Sequence, residues 1–271
     1  MMDRTPGAAR SSFNRIEALL KNLYEYIVLY GGLLLFALLS LVWSLLATLL
    51  APFLPRRIAT PFGQHAIMLG FRFYLAVLKF SGLVHLDLSA LDALRQDRSL
   101  IIAPNHPSLI DVGLIASRLP HFVCIMKASI WDNPLLGGGA RLAGYIRNDA
   151  PKDMIRSAAA AARDGNQLLI FPEGTRTITP PVNDFKGGFG LIAKKAGVPI
   201  QTVFIETNSP FLGKGWPLLK KPDFPLIYRV RLGQRFEVNG DVKTFIAELE
   251  QYFRQQPGIQ NFSSEDGDKS L

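Results

Sequence analysis

The sequence holds a single cysteine, Cys124. An internal disulfide is therefore impossible, and so is a structural zinc site built from several thiolates. Such a chain suits a reducing compartment. Histidine is nearly as scarce, with His65, His85, His106 and His121 making up the whole set. None belongs to an HExxH pair, and there is no P-loop, no GxGxxG and no GxSxG. Metalloprotease, nucleotide-binding and α/β-hydrolase chemistry thus lose their main sequence signals. Acidic residues are outnumbered, 22 against 30 Lys and Arg, which leaves a net charge of +8. A basic balance fits an anionic membrane, nucleic acid or an acidic partner. Because the basic residues are dispersed, nucleic acid is the weakest of the three.

What the sequence has in abundance is apolar surface, 48% of 271 residues. Global disorder is excluded, and the length suits one domain plus an extension. Ile27 to Leu50 contains no charged residue. As a helix it would reach about 36 Å at 1.5 Å per residue, enough to span or dip into a bilayer. Tyr26, Tyr30 and Trp43 suit membrane interfaces, Pro52 and Pro55 end the helix, and Arg56 and Arg57 follow as an anchor. A signal peptide is disfavoured by the long polar lead and the lack of a nearby small-residue cleavage site. A buried core helix is disfavoured by the length of the charge-free run. Basic residues flank both sides, so charge does not choose an orientation. A second apolar stretch, Ala66 to Leu86, carries Arg72 and Lys79 seven residues apart, on one helix face. It reads as an interfacial helix, or as a core helix with two snorkelling cations.

Beyond Leu86, short strands and helices alternate. Strands are expected at Ser99–Ala103, Phe122–Met126, Gln167–Phe171, Pro199–Glu206 and Ile227–Gly233. Helices are expected at Pro107–Arg118, Pro151–Arg163, Lys186–Ala196 and Asp241–Gln255. This alternation predicts an α/β fold, with a mostly parallel central sheet flanked by helices and preceded by N-terminal membrane helices. The expected division is a polar or amphipathic segment over 1–25, membrane-anchoring helices over 26–86, the main domain over 87–256 and a flexible tail over 257–271.

Candidate chemistry clusters where strands end. Asn105-His106-Pro107-Ser108-Leu109-Ile110-Asp111 lies at a strand-to-helix turn, where α/β sheets place ligands. A neutral imidazole can take a proton from an attacking hydroxyl, and a carboxylate beside it fixes the tautomer and steadies the imidazolium. Residues five apart do not share a helix face, so His106 must sit ahead of the helix and fold back toward Asp111. The bland alternative is a capping or turn histidine, and the spacing alone does not exclude it. Three further strand ends carry Lys127, Arg147 and the run Phe171-Pro172-Glu173-Gly174-Thr175-Arg176. Cations and donors gathered on one edge would make a phosphate pocket. Taken singly, each is an ordinary solvated charge. Lys186 either joins this group or starts a helix.

These segments, in this order from about Leu100 to Val203, resemble the 1-acyl-sn-glycerol-3-phosphate acyltransferase family. NHPSLID is similar to its His-x4-Asp motif, KASIWDNPLLG with GYIRND to its second block, FPEGTRT to its third and GVPI to its fourth. The resemblance implies a glycerolipid acyltransferase-like fold and O-acyl transfer from an acyl carrier protein or coenzyme A thioester to lysophosphatidic acid, giving phosphatidic acid. It implies His106 as base and Asp111 as its partner. Lys127, Arg147, Glu173, Gly174, Thr175 and Arg176 would line the acceptor phosphate site. No metal and no cofactor beyond the thioester co-substrate are implied. Membrane lipids are the implied partners, and a bacterial inner membrane with the catalytic domain in the cytoplasm is the implied location. Asn148-Asp149 after Arg147, Gln201-Thr202 in the fourth block and Trp131 in the second depart from the common pattern. They are similar to members serving specialised lipids of the aryl polyene or ornithine type. A lipid-binding protein without catalysis, and a membrane-anchored thioesterase in which water replaces the acceptor, are the rival readings.

Overall fold

The computed structural model describes residues 6–133, 137–148 and 150–256. The expected flexible tail over 257–271 and Asp149 lie outside the described residues. The chain opens with α1 (Pro6–Leu50), turns through a 3-10 segment at Ala51–Phe53, and returns as α2 (Arg56–Phe80). Pro52 and Pro55 break the path between them. The two helices form an antiparallel hairpin. The Phe36 ring lies 5.4 Å from Tyr74 and 6.2 Å from Phe71, and Trp43 lies 6.0 Å from Phe62. Tyr24 Oη donates to the Ser81 carbonyl at 2.7 Å.

The second apolar stretch divides differently from the sequence expectation. Its helix begins ten residues earlier, directly after Pro55, and ends at Phe80. Gly82 adopts a left-handed φ of 75°, and Val84–Asp87 then form β1. That strand is stabilised by parallel pairing with Leu226–Arg229, partners far along the chain that no local pattern reveals.

The remaining elements are β2 (Leu100–Pro104), α3 (Asp111–Ala116), β3 (Phe122–Lys127), α4 (Ala128–Trp131), α5 (Gly137–Leu142), β4 (Ile146–Asn148), α6 (Pro151–Arg163), β5 (Gln167–Leu169), α7 (Gly187–Ala196), β6 (Ile200–Thr207), β7 (Leu226–Phe236) and α8 (Val242–Arg254). They build one seven-stranded sheet in the order β1-β7-β6-β2-β5-β3-β4. Five strands, β2 to β6, run parallel. β7 is antiparallel to β6, and β1 follows β7. The sheet is therefore mostly parallel, as expected.

Right-handed crossovers place α3 and α5 on one face, because β2→β3 and β3→β4 both step toward the β4 edge. β4→β5 and β5→β6 step back, so α6 and α7 cover the other face, with α8 packed on α7 through Gly190, Val242 and Ile246. The direction of winding reverses between β2 and β5. In such sheets the crevice outside the carboxyl ends at this reversal is the natural ligand site. β2 is buried throughout, Leu100 to Ala103 being at most 1% exposed, so its end is a rigid platform.

Candidate active site

β2 ends at Pro104, and Asn105 clamps that end to β6. Its Nδ2 donates to the Ile205 carbonyl at 2.9 Å and its Oδ1 accepts from Ile205 N–H at 2.7 Å. His106 follows. The helix after it starts at Asp111, not at Pro107 as the sequence suggests. Residues 107–110 instead form a turn that carries the chain back on itself. Asp111 Oδ2 accepts from His106 Nδ1 at 2.9 Å and from Ser108 N–H at 2.8 Å. A carboxylate only accepts, so Nδ1 carries the proton and Nε2 keeps its lone pair. Asp111 is completely buried, while the His106 side chain retains 12% exposure. Asp111 Oδ1 has no hydrogen-bond partner among the described residues. Burial raises the Asp111 carboxyl above the usual aspartate range, against the opposing pull of His106, the Ser108 N–H and Arg176.

β5 supplies the second wall. Phe171 stacks flat on the His106 imidazole, with centroids 3.6 Å apart and planes 14° from parallel. Glu173 is fully buried behind them. Its Oε1 accepts from His106 N–H at 3.0 Å and Thr177 Oγ1 at 2.8 Å, and its Oε2 accepts from Asn183 N–H at 2.8 Å. Thr177 N–H in turn donates to the His106 carbonyl at 2.7 Å. Glu173 therefore ties the β2 turn to the β5 loop from beneath. Its carboxylate is taken up by these three donors beneath the turn, whereas the resemblance implied a place in the lining of the acceptor phosphate site. Burial raises its pKa, against the three donors that oppose the shift.

Gly174 turns the loop outward with φ at +68°, a left-handed conformation that suits glycine. A Cβ there would come 3.1 Å from Lys186 Cγ, so Lys186 lies against this turn. Thr175 Oγ1 accepts from Lys214 Nζ at 3.0 Å. Arg176 Nη1 donates to the Leu212 and Gly213 carbonyls at 2.8 and 2.9 Å, which sets the guanidinium beside the His106–Asp111 turn. Gly174, Thr175 and Arg176 are thus brought next to His106. Lys127 and Arg147 sit at the same sheet edge but two and three strands from β2, about 10 and 14 Å away at roughly 4.8 Å per strand. The Arg147 guanidinium bonds Asp132 at 2.6 Å.

The stacking role of Phe171 is not legible in the sequence, although Phe171 lies within the FPEGTRT motif. Nor is Lys214, which arrives from the connection between β6 and β7 with no motif of its own.

Residues 85–206 match the family model described as Acyltransferase. The 1-acyl-sn-glycerol-3-phosphate acyltransferase of Pseudomonas aeruginosa is 24% identical over 218 residues, covering 78% of this chain and 81% of that one. Family model, relatives and solved structure converge on the 1-acyl-sn-glycerol-3-phosphate acyltransferase family, and the chain is an acyltransferase of the EC 2.3.1 class. A 1-acyl-sn-glycerol-3-phosphate acyltransferase of Cocos nucifera is 40% identical over 103 residues, 35% of this chain and 33% of that one. A lyso-ornithine lipid O-acyltransferase of Pseudomonas aeruginosa is 32% identical over 121 residues, 40% and 46% of the two chains. The chain thus spans four fifths of the first of these relatives but less than half of the other two. In fold it is similar to the crystal structure of the 1-acyl-sn-glycerophosphate acyltransferase PlsC from Thermotoga maritima. That likeness has a TM-score of 0.55 at 20% identity and covers 95% and 98% of the chains.

Proposed function

We propose that this acyltransferase moves a fatty acyl group from an acyl carrier protein or coenzyme A thioester to the free hydroxyl of lysophosphatidic acid, giving phosphatidic acid. The observation that carries the reading is the His106–Asp111 pair, with Nδ1 held by a buried carboxylate and Nε2 left with its lone pair. Nε2 takes the hydroxyl proton as the oxygen attacks the thioester carbonyl. The tetrahedral intermediate collapses, the C–S bond breaks, and the imidazolium returns the proton to the departing thiolate. No acyl-enzyme is required. Ser108 Oγ already donates to the Phe211 carbonyl at 2.8 Å, and Cys124 is buried with its thiol pushed up to about 12. Arg176, Thr175 and the Gly174 turn are the nearest candidates for the acceptor phosphate, with Lys127 and Arg147 further along the edge.

The membrane part of the proposal rests on α1. Leu34, Leu38, Leu45 and Leu49 are each at least half exposed, and such a row is unstable in water. Asn14–Phe53 is one helix long and apolar enough to cross a membrane. The α/β domain contacts α1 at both ends of its apolar run, Lys221 at Glu25 and Gly138 N–H at Ser44 Oγ. Those contacts lie about 28 Å apart along the axis, close to the depth of the hydrocarbon core. An upright crossing would draw polar parts of the domain into lipid, so the contacts favour a dipping helix. In this arrangement residues 26–86 hold the enzyme at a bacterial inner membrane and 87–256 perform the transfer on its cytoplasmic side.

A specialised acceptor of the ornithine-lipid type is the second reading, supported by the 32% identity to a lyso-ornithine lipid O-acyltransferase. Mass spectrometry of products made by membrane fractions from a panel of lysolipids and both thioester types separates the two. His106→Ala is expected to lower transfer by about 10²–10⁴-fold. Retention of near-wild-type transfer by that variant on every acceptor would rule out the proposed base.

A further inference from the structure

The connection between β6 and β7, residues 208–225, is long for a compact domain and has no regular structure. It is pinned at both ends to parts already described. At the near end the Phe211 carbonyl accepts from Ser108 Oγ, the Leu212 carbonyl accepts from Leu109 N–H at 3.0 Å, and Leu212 and Gly213 hold Arg176. Lys214 reaches Thr175. At the far end Lys221 Nζ donates to Glu25 and Asn22 and lies 5.1 Å from the Tyr26 ring centroid. Tyr30 Oη donates to the Leu219 carbonyl at 3.4 Å. The strap therefore runs from the anion pocket to the point on α1 where the charged lead gives way to the apolar run.

Its middle has a composition unsuited to water. Leu218 and Leu219 are 54% and 65% exposed, and beside them Lys220 Nζ sits 4.7 Å over the Trp216 ring. Trp216 Nε1 donates to the Lys220 carbonyl at 3.2 Å, which closes the segment into a compact turn. Leu219 adjoins Tyr30 through its carbonyl, and Leu23, Ile27, Tyr30 and Leu34 form an exposed apolar stretch of α1. We propose that the 216–220 turn is a second membrane contact, with Leu218 and Leu219 inserted among acyl chains and Lys214 and Lys220 set against anionic headgroups. Two arguments select a bilayer as the occupant: continuity with the apolar face of the membrane helix, and an apolar tip bracketed by cations with an indole at headgroup level. Because the same strap holds Arg176, docking would place the anion pocket at the headgroup layer where a lysolipid presents its phosphate. This inference rests on the membrane reading of α1.

The test uses the full chain in vesicles of neutral and anionic phospholipid, with one environment-sensitive fluorophore introduced at Leu219→Cys. Leu38→Cys on α1 and Leu191→Cys on α7 serve as references, since Cys124 is buried. The label at 219 is expected to be quenched by nitroxide-bearing acyl chains and shielded from aqueous iodide, as at 38 and unlike 191. If 38 is lipid-quenched while 219 stays open to iodide, or is shielded only on adding acyl carrier protein, the strap does not dock on the bilayer. If neither 38 nor 219 meets lipid, the membrane reading falls and the strap inference with it. The double variant Leu218→Ser/Leu219→Ser is expected to raise KM for a bilayer-presented lysolipid about tenfold and leave kcat on a monomeric short-chain acceptor unchanged. An unchanged KM, or an equal loss on both acceptors, overturns the proposal.

Discussion

His106 is held from two directions, by the Asp111 carboxylate in the plane of its ring and by the Phe171 face against it. Rotation about χ2 would break both contacts, so the ring is oriented before substrate arrives. Replacing Phe171 with Ala is expected to lower kcat about tenfold while leaving acceptor KM nearly unchanged, a split that steady-state kinetics reads directly. Asp111→Asn separates stability from activity. The amide oxygen can still accept from Nδ1–H and the Ser108 N–H, but a buried charge is gone. Because burial raises the Asp111 pKa in the folded protein, the ionised group opposes folding once pH rises through that pKa. The variant should therefore melt no lower than wild type at neutral pH while transferring acyl groups much more slowly, as calorimetry beside an activity assay would record. On the proposed mechanism, activity needs Asp111 ionised. The acid limb of kcat/KM should accordingly fall as pH drops through a region above the ordinary aspartate range. Glu173→Gln behaves differently. Its new Nε2 would face the Asn183 N–H donor to donor, and about 1–3 kcal/mol of stability should be lost in denaturant titration.

At the scale of elements, close approaches decide how the hairpin meets the catalytic sheet. A Cβ on Gly113 of α3 would lie 2.7 Å from Phe71 Cε1, and one on Gly63 of α2 would lie 2.8 Å from the Ala143 backbone N. Helix α2 thus rests directly against the helix that carries Asp111 and against the segment that ends α5. Gly113→Ala is expected to cost about 1–3 kcal/mol through overpacking, and Phe71→Leu in the same chain should recover part of it, because a ring edge is removed. Gly63→Ala has no such partner to trim, since the obstacle is backbone. A double-mutant cycle followed by thermal unfolding would show coupling for the first pair. Motion of α2 against α3 would shift Asp111, so these packing contacts bear on catalysis as well as on stability.

At the scale of the molecule, an apolar helix face, a net charge of +8 and a carboxyl-edge His106–Asp111 pair belong to one protein. Cationic attraction to anionic lipid weakens with salt over a Debye length near 8–10 Å, while the apolar contribution does not. Sedimentation with anionic vesicles should therefore show association that is reduced but not abolished at roughly 0.5 M salt. Leu38→Asn with Leu45→Asn, which strike the exposed face of α1 alone, should move the protein out of the membrane fraction without altering the His106–Asp111 geometry.

Composition and pattern by themselves determined the charge-free helix, the α/β alternation and the strand ends that carry His106, Lys127 and Glu173, because burial periodicity and turn chemistry are local properties. They also determined α6 to the residue, from a proline start and the left-handed Gly165 that follows its end. Edge strand β1 and the three-residue β4 were not legible, since each is stabilised by hydrogen bonds to distant chain. The helix start at Asp111 was not legible either, because Asp111 is drawn down by His106 and Ser108 before the helix begins. Only the tertiary structure decided which motif residues meet. Glu173 sits within the motif yet works underneath it, and Arg147 is turned to Asp132. Lys214 enters from a connection with no motif, because sheet order, unlike spacing along the chain, sets the distances between strand ends.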